Sequence, residues 1–422
     1  MSVEKFIADK ISNAGQSKGN ISKPIVKIGI IGITVGVSVM LLTVSIVLGF
    51  KKEIVKKITG LTSDITISSV NINASNEPEP IVIGKDSLAM IKNLSFVEHM
   101  QPTALKNGIL KTETENEGIL LKGVSPEYDF TFIKAHLTEG RLPAFKSDEA
   151  TKEALVSETL AKKLGLTLNG KMLVYFISQH LVYDSLIKEK LIKHEQRSRN
   201  FTICGIFKTN FADFDERLSI VDIKQIQRLN YWNENMVGAY EIKVKDFENV
   251  ESNQVQLQDL FGYFYNVNSV KQLYYNIFTW LDKLDINGII VVVLMILVAT
   301  MNMITALLIL ILERTNMVGL VKALGMSNVS VRKIFLFISY RLIGRGLLWG
   351  NVIGISLCLL QSYFKIAKLD SETYYVDFVA IEINWLYFLL LNIGTFVVCS
   401  LMLFLPTLII TKLTPIKTLK FD

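Results

Sequence analysis

Ile286-Asn-Gly-Ile-Ile-Val-Val-Val-Leu-Met-Ile-Leu-Val-Ala-Thr-Met-Asn-Met-Ile-Thr-Ala-Leu-Leu-Ile-Leu-Ile-Leu312 is uncharged and almost wholly apolar. A hydrocarbon layer needs ~20 helical residues to cross, so this stretch is long enough. Three more uncharged apolar stretches share the property: Ile28 to Phe50 before it, and Gly346 to Phe364 and Ile383 to Thr411 after it. A long polar segment, 51–285, separates the first from the second. The pattern predicts a membrane protein with four transmembrane α-helices, one N-terminal and three C-terminal. A large α+β extracytoplasmic domain lies between helices one and two.

The boundaries give a cytoplasmic N-terminal segment at 1–27, a transmembrane helix at 28–50, and an outer domain with stalks at 51–285. A second transmembrane helix follows at 286–312, a cytoplasmic loop at 313–333 and a third helix at 334–364. An extracytoplasmic loop at 365–382, a fourth helix at 383–411 and a cytoplasmic tail at 412–422 complete the chain. A cleaved signal peptide does not fit the first stretch, whose apolar part is too long and lacks a small-residue cleavage site before Lys51 and Lys52. Orientation follows from basic residues in the short flanks: Lys5, Lys10, Lys18, Lys23 and Lys27, then Arg314, Lys322, Arg332 and Lys333, then Lys412, Lys417 and Lys420. Positive charge stays on the cytoplasmic side, which puts both termini and the 313–333 loop there. Lys51, Lys52, Lys56 and Lys57 fall on the opposite side, but they open a long translocated domain, where the rule has little force.

Half of the residues are apolar and only 20% are charged, as a membrane protein requires. The net charge of +6 is spread over loops and gives no nucleic-acid signal; it fits positive-inside bias and attraction to anionic lipid. Of three cysteines only Cys204 falls in the outer domain, so no intrachain disulfide can staple it. Its stability must come from an apolar core.

Within 51–285, alternating or β-branched runs predict strands at Ile65 to Ile72, Gly118 to Val124, Met172 to Ile177, Phe201 to Phe207 and Tyr240 to Val244. Helical periodicity predicts helices at Ser157 to Leu164, closed by Gly165, at Ile223 to Leu229 and at Val250 to Leu260. The domain reads as α+β, in one lobe or two. Asn76 to Pro80 reads as a loop, while Lys51 to Ile58 and Val270 to Leu284 read as stalks that extend helices one and two.

Gly165, Gly170 and Lys171 imitate the spacing of a phosphate-binding loop, but Met172 stands where magnesium needs a hydroxyl. The segment also leaves a helix and enters a strand, the reverse of the order that aims a helix N-terminus at phosphate. His99, His136, His180 and His194 show no metal spacing. No catalytic residue, cofactor or metal is expected on this chain, and any energy source lies on another.

The loop Glu313-Arg-Thr-Asn-Met-Val-Gly-Leu-Val-Lys-Ala-Leu-Gly-Met-Ser327 predicts a short amphipathic helix from Asn316 to Leu324, stopped by Gly325 and followed by a cap at Ser327. Such a helix either lies passively in the interface or docks a partner. These residues resemble the coupling-helix motif of the FtsX/MacB-like ABC transporter permease superfamily, on Arg314, Val318, Gly319, Leu320, Lys322, Ala323, Leu324 and Gly325. The ending Leu413-Thr-Pro-Ile-Lys-Thr-Leu-Lys-Phe-Asp422 is similar to that superfamily's terminal motif.

Within it, the chain resembles the lipoprotein-releasing permeases of the Lol type. The residues that carry this are Val298-Ala and Asn302-Met-Ile, Tyr374-Tyr-Val-Asp, Lys122-Gly-Val-Ser-Pro-Glu, Cys204-Gly-Ile-Phe and Phe214-Asp-Glu. Ala380 departs from the branch's usual proline. Ser178 to Asn200 sits where one Lol paralogue carries a chaperone-binding hook but does not resemble it in sequence.

The resemblance implies a permease subunit in the bacterial inner membrane, with the large domain in the periplasm. Its partners would be a cytoplasmic ABC ATPase that docks on the coupling helix, a second permease chain identical or paralogous to this one, a lipoprotein substrate, a periplasmic chaperone and membrane lipid. ATP-driven closure would be transmitted through helices and stalks to extract lipoproteins for the outer membrane. A substrate cleft between helices one and two would draw on Met40, Met301 and Met303, adaptable apolar side chains. The basic run around Lys188, Lys190 and Lys193 is the candidate acceptor contact. Two other readings are a non-transporting FtsX-like regulator of a cell-wall hydrolase, and an exporter or sensor of antimicrobial peptides or other amphipaths.

Overall fold

The computed structural model describes residues 4–7, 22–71, 77–112, 115–145, 149–184 and 189–407. The chain divides into two units. One holds 1–52, 280–368 and 378–422, and the other 53–279 and 369–377.

The membrane unit is built on α1 (Ser22–Thr62), α2 (Tyr275–Glu313), α3 (Thr315–Ala323), α4 (Asn328–Phe364) and α5 (Trp385–Met402). Among the described residues, four helices are long and apolar enough to cross a membrane: α1, α2, α4 and the Trp385–Thr407 segment that contains α5. In lipid there is no solvent-driven force between helices, so close packing must hold them. Glycines supply that approach along α4. A Cβ at Gly346 would stand 2.7 Å from Ile33 Cβ, and one at Gly350 would stand 2.7 Å from Val37 Cβ. Backbone proximity lets Thr34 Oγ1 donate to Gly346 O at 3.3 Å and Ser38 Oγ to Gly350 O at 3.0 Å. Asn351 on α4 and Asn392 on α5 exchange amide hydrogen bonds of 2.6 and 2.9 Å.

At the other end of this unit, Lys51 pairs with Asp285 at 2.6 Å and Lys52 with Glu382 at 2.6 Å. Two of the lysines that run against the charge rule are therefore neutralised by local carboxylates.

In the second unit, ten strands form one sheet: β1 (Ile65–Ser69), β2 (Val97–Lys111), β3 (Asn116–Val124), β4 (Leu137–Gly140), β5 (Glu153–Ser157), β6 (Lys171–Asp184), β7 (Glu189–Phe207), β8 (Leu218–Asp222), β9 (Ala239–Val244) and β10 (Tyr265–Ser269). The order is β10-β1-β9-β2-β3-β8-β5-β7-β4, and β6 pairs both β7 and β2. That last pairing closes β2, β3, β8, β5, β7 and β6 into a ring. β3 with β8 and β5 with β7 are parallel, and the other strand pairings are antiparallel. Helices Ile223–Leu229 and Val250–Phe261 contribute Ile226 and Leu257, each fully buried, to one apolar core with Ile65, Leu121, Val156 and Phe201. One sheet and one core answer the choice between one lobe and two: β2 runs through both halves.

The expected helix over Ser157 to Leu164 is Glu158–Lys163, capped by Ser157, with Gly165 at φ +62°. The lookalike loop therefore sits between a helix and β6, as its sequence order indicated. Lys51 to Ile58 is helical and continuous with α1. Val270 to Leu284 is not a single stalk. Ser269 and Gln272 form a capping box on a short helix, Val270–Leu273, which ends at Tyr274 before α2 begins.

Candidate functional site

The loop between α2 and α4 folds as the amphipathic pattern dictates. α3 opens at Arg314 and closes at Gly325, whose φ of +92° suits a residue without a Cβ. Met326 N donates back to Val321 O at 3.1 Å, and Ser327 Oγ then caps α4 by accepting from Ser330 N at 3.2 Å. The tight turn fixes which face of α3 is buried. Val318 and Gly319 point inward, Val318 packing with Val331 and Phe335. Leu320 and Leu324, one turn apart, point outward and are 56% and 82% exposed. Two exposed leucines on a short helix offer apolar surface to lipid or to a partner, and burying each is worth ~1.5–3 kcal/mol.

Beside them opens a shallow cavity of ≈ 620 Å³ lined by Ile7, Val321, Leu324, Met326 and Ser330 among others. Burial and the neighbouring Arg332 hold the Lys322 ammonium below the ordinary lysine range. The Nε atoms of Arg314 and Arg332 are buried without a hydrogen-bond acceptor among the described residues. All eight residues expected of the coupling segment thus lie on α3 or its flanking caps. Of these, Leu320, Ala323, Leu324 and Gly325 are exposed.

The methionines expected to share a cleft do not share a surface. Met40 and Met303 are buried inside the membrane unit at 1% and 0% exposure, whereas Met301 is 63% exposed. Positions two apart on a helix point to nearly opposite sides, so 301 and 303 cannot both face outward on α2. Arg341 is half-buried and Arg345 exposed on α4.

Ser178 to Asn200 lies largely on two strands, β6 and β7, paired antiparallel from Lys171 with Thr202 to Asp184 with Glu189. Lys190 and Lys193 are on β7; Lys188 lies outside the described residues, as does the terminal motif at 413–422. Toward the base of the hairpin, Arg197 stacks over Tyr231 at 4.4 Å and donates to Arg228 O, and Tyr231 donates to Glu195 at 2.8 Å.

Two of the buried lysines in the outer unit, Lys122 and Lys57, had no role assigned to them from the sequence. Lys122 Nζ meets Glu241 Oε1 at 2.6 Å, donates to the Leu61 carbonyl at the end of α1, and lies 5.2 Å from the Tyr128 ring centre. Burial disfavours its charge, but Glu241 outweighs burial and holds the ammonium above the ordinary lysine range. Lys57, on α1, donates to Asn210 O at 3.1 Å and to Tyr375 O at 3.0 Å. Asp215 gathers Thr209 and Asn210 around itself through Oγ1 and backbone N–H donors, and burial pushes its carboxyl above the usual range. Lys122, Asp215, Tyr375 and Asp377 all belong to segments that carried the Lol-type resemblance.

Four membrane-capable helices among the described residues, with a large domain inserted in the sequence after the first, define a multi-pass membrane protein. Residues 28–260 match the MacB-like periplasmic core domain and residues 289–415 the FtsX-like permease C-terminal domain. The chain belongs to this MacB-like, FtsX-like permease family, and its large domain is a MacB-like periplasmic core.

Among its relatives is the lipoprotein-releasing system transmembrane protein LolC of Buchnera aphidicola, 24% identical over 422 residues, covering 95% of this chain and 94% of that protein. The lipoprotein-releasing system transmembrane protein LolE of Haemophilus influenzae is 21% identical over 417 residues, covering 96% of each. The crystal structure of the periplasmic region of MacB from Actinobacillus actinomycetemcomitans aligns with a TM-score of 0.33 at 15% identity, over 52% of this chain and 95% of that one.

Proposed function

We propose that this chain is the permease subunit of an ATP-driven complex that extracts lipoproteins from the bacterial inner membrane for delivery toward the outer membrane. The observation that carries the reading is the exposed Leu320 and Leu324 pair on α3, between two spanning helices of a chain similar over nearly its whole length to proteins of lipoprotein-releasing systems. In this reading α3 faces the cytoplasm and fills a groove on a separate ABC ATPase. The second permease chain is either another copy or a paralogue.

The energetic demand agrees with an ATP-driven device. Each acyl methylene leaving hydrocarbon costs ~0.8 kcal/mol, so a multiply acylated protein does not leave unaided. The β6–β7 hairpin, with Lys190 and Lys193 on β7, Arg197 and Arg199 toward its base and Lys188 between the two strands in sequence, is the surface that meets a periplasmic acceptor. Its basic side chains favour an acidic partner. Met301 and its exposed apolar neighbours on α2, such as Leu297 and Val298, are the lipid-facing surface from which a dimer builds its substrate path, with Met40 and Met303 behind it.

The test is reconstitution in lipid vesicles with the partner ATPase, an acylated cargo protein and a soluble acceptor. ATP-dependent transfer of cargo to the acceptor is expected, with no ATP turnover by this chain alone. ATP hydrolysis by the purified chain, or a coupled complex that leaves acylated cargo in the vesicle, overturns the reading.

A further inference from the structure

We propose that residues 369–377, the segment joining α4 to α5, form a latch that docks on the outer domain over Lys57 and lets go during the working cycle. The segment clusters with the outer unit and not with the spanning helices on either side of it. Its neck is closed by Leu369 N donating to Asp377 O at 2.8 Å, so it stands as a compact finger. Val376, next to this neck, is 1% exposed. Tyr375 stacks on Phe211 with ring centres 4.7 Å apart and 24° between planes. Asp377 accepts from Asn210 Nδ2 at 2.5 Å, and Lys57 Nζ joins the two sides by donating to Tyr375 O and Asn210 O.

Two features mark this contact as releasable. Asn210 and Tyr375, which face each other across it, both have left-handed backbones, at φ +55° and +60°. Asparagine tolerates that conformation, but tyrosine does so poorly, and strained residues held only by their surroundings gather at elements with two states. Lys57 is the second feature. It is 4% exposed in the docked state, where it donates to two carbonyls while the Asp377, Glu53 and Asp215 carboxylates favour its charge. When the finger leaves, the ammonium loses one carbonyl and the Asp377 charge but keeps the Asn210 carbonyl and gains water, so neither state strands a buried charge. An element whose two positions are both satisfied is set by small differences in affinity, which is what a switch needs.

The release half of the proposal rests on the permease reading above, so the experiment has two separate readouts. In the full chain in lipid nanodiscs, Lys57→Met is expected to raise amide exchange at 373–377 at least tenfold while β3 and β8 stay protected. Asp377→Ala, which removes the acceptor for Asn210 Nδ2 and leaves the strained residues in place, is the second variant and is expected to act in the same direction. Unchanged exchange at 373–377 in both variants overturns docking through these residues, whatever the chain transports.

For release, Asn210→Cys with Asp377→Cys is oxidised in the reconstituted complex; the native Cys204, Cys358 and Cys399 are buried. Cargo transfer is expected to fall at least tenfold and to return on addition of a thiol reductant. Full transfer by the cross-linked complex overturns the switch and leaves the permease reading standing. Absence of transfer by the unmodified complex counts against the permease reading, and a cross-linking yield that then stays the same with and without ATP overturns the switch.

Discussion

Lys122 and Glu241 form an ion pair of 2.6 Å, with side chains 4% and 9% exposed, and the same ammonium holds the Leu61 carbonyl at the end of α1. Gln101 donates to the same carboxylate at 3.1 Å, so the remaining lone pairs are not left empty. Breaking a buried pair from one side leaves an uncompensated charge and costs about 3–5 kcal/mol. Lys122→Met is expected to destabilise the outer domain by about that much, and Lys122→Met with Glu241→Gln by much less. Thermal unfolding of the full chain in detergent measures both, and equal losses in the single and double variants would exclude the account.

The outward leucines of α3 give a cleaner separation of folding from function. Leu320→Asp and Leu324→Asp change residues that make no core, so membrane insertion and outer-domain melting should match the unaltered chain. Docking of the ATPase should weaken by several kcal/mol, because a carboxylate would enter an apolar groove without a partner. Co-purification of the ATPase and stimulated ATP turnover are the measurements; normal values for both variants would remove α3 from the interface.

Charge on the hairpin should act mainly on rate. Replacing Lys188, Lys190 and Lys193 with glutamate is expected to slow cargo transfer to an acidic acceptor most at low salt, while ATP hydrolysis stays nearly constant. A transfer rate that is the same in variant and parent across ionic strengths would mean that the acceptor docks elsewhere.

Gly350 offers a packing test inside the membrane unit. A leucine there collides with Val37, whereas Gly344 has open space where its Cβ would lie. Gly350→Leu is expected to cost about 1–3 kcal/mol and Gly344→Leu close to nothing. Unfolding in detergent titrations compares them, and equal effects would argue against close contact between α1 and α4.

Asp64 sets a pH dependence. It is 5% exposed, and burial raises its pKa from 3.8 to about 6, against the opposing effects of the Val244 N–H and Lys243; Glu98 adds to the rise. A group that holds its proton more tightly when folded adds stability at low pH and loses it as pH rises through its folded value. The outer domain should therefore lose up to ~3 kcal/mol from this group between pH 4 and 6. Asp64→Asn retains an acceptor for Val244 N and should flatten that slope. Melting curves across pH 4–7 decide it, and an unchanged slope would assign the dependence to another group.

The spanning helices were legible because hydrocarbon allows only one backbone solution, and the reading of α3 succeeded because glycine and serine punctuate it. β5 and β8 escaped notice for the opposite reason: Glu153–Ser157 and Leu218–Asp222 are short and nearly all buried, so they carry no alternation. β2 was hidden by polar residues that point inward, Gln101, Thr103 and Lys106, the last paired with Glu77 at 2.9 Å. Lys57 and Lys122 were invisible as site residues because a buried lysine is written with the same letter as a solvated one. Their partners lie far along the chain, at 210, 375 and 241.

The mutual amide pair of Asn351 and Asn392 bears on biogenesis. A lone carboxamide facing acyl chains has nothing to bond, while two facing each other across α4 and α5 each supply a donor and an acceptor. The two carboxamides are thus satisfied in hydrocarbon only when both segments are there together, which favours entry of α4 and α5 into lipid as one hairpin.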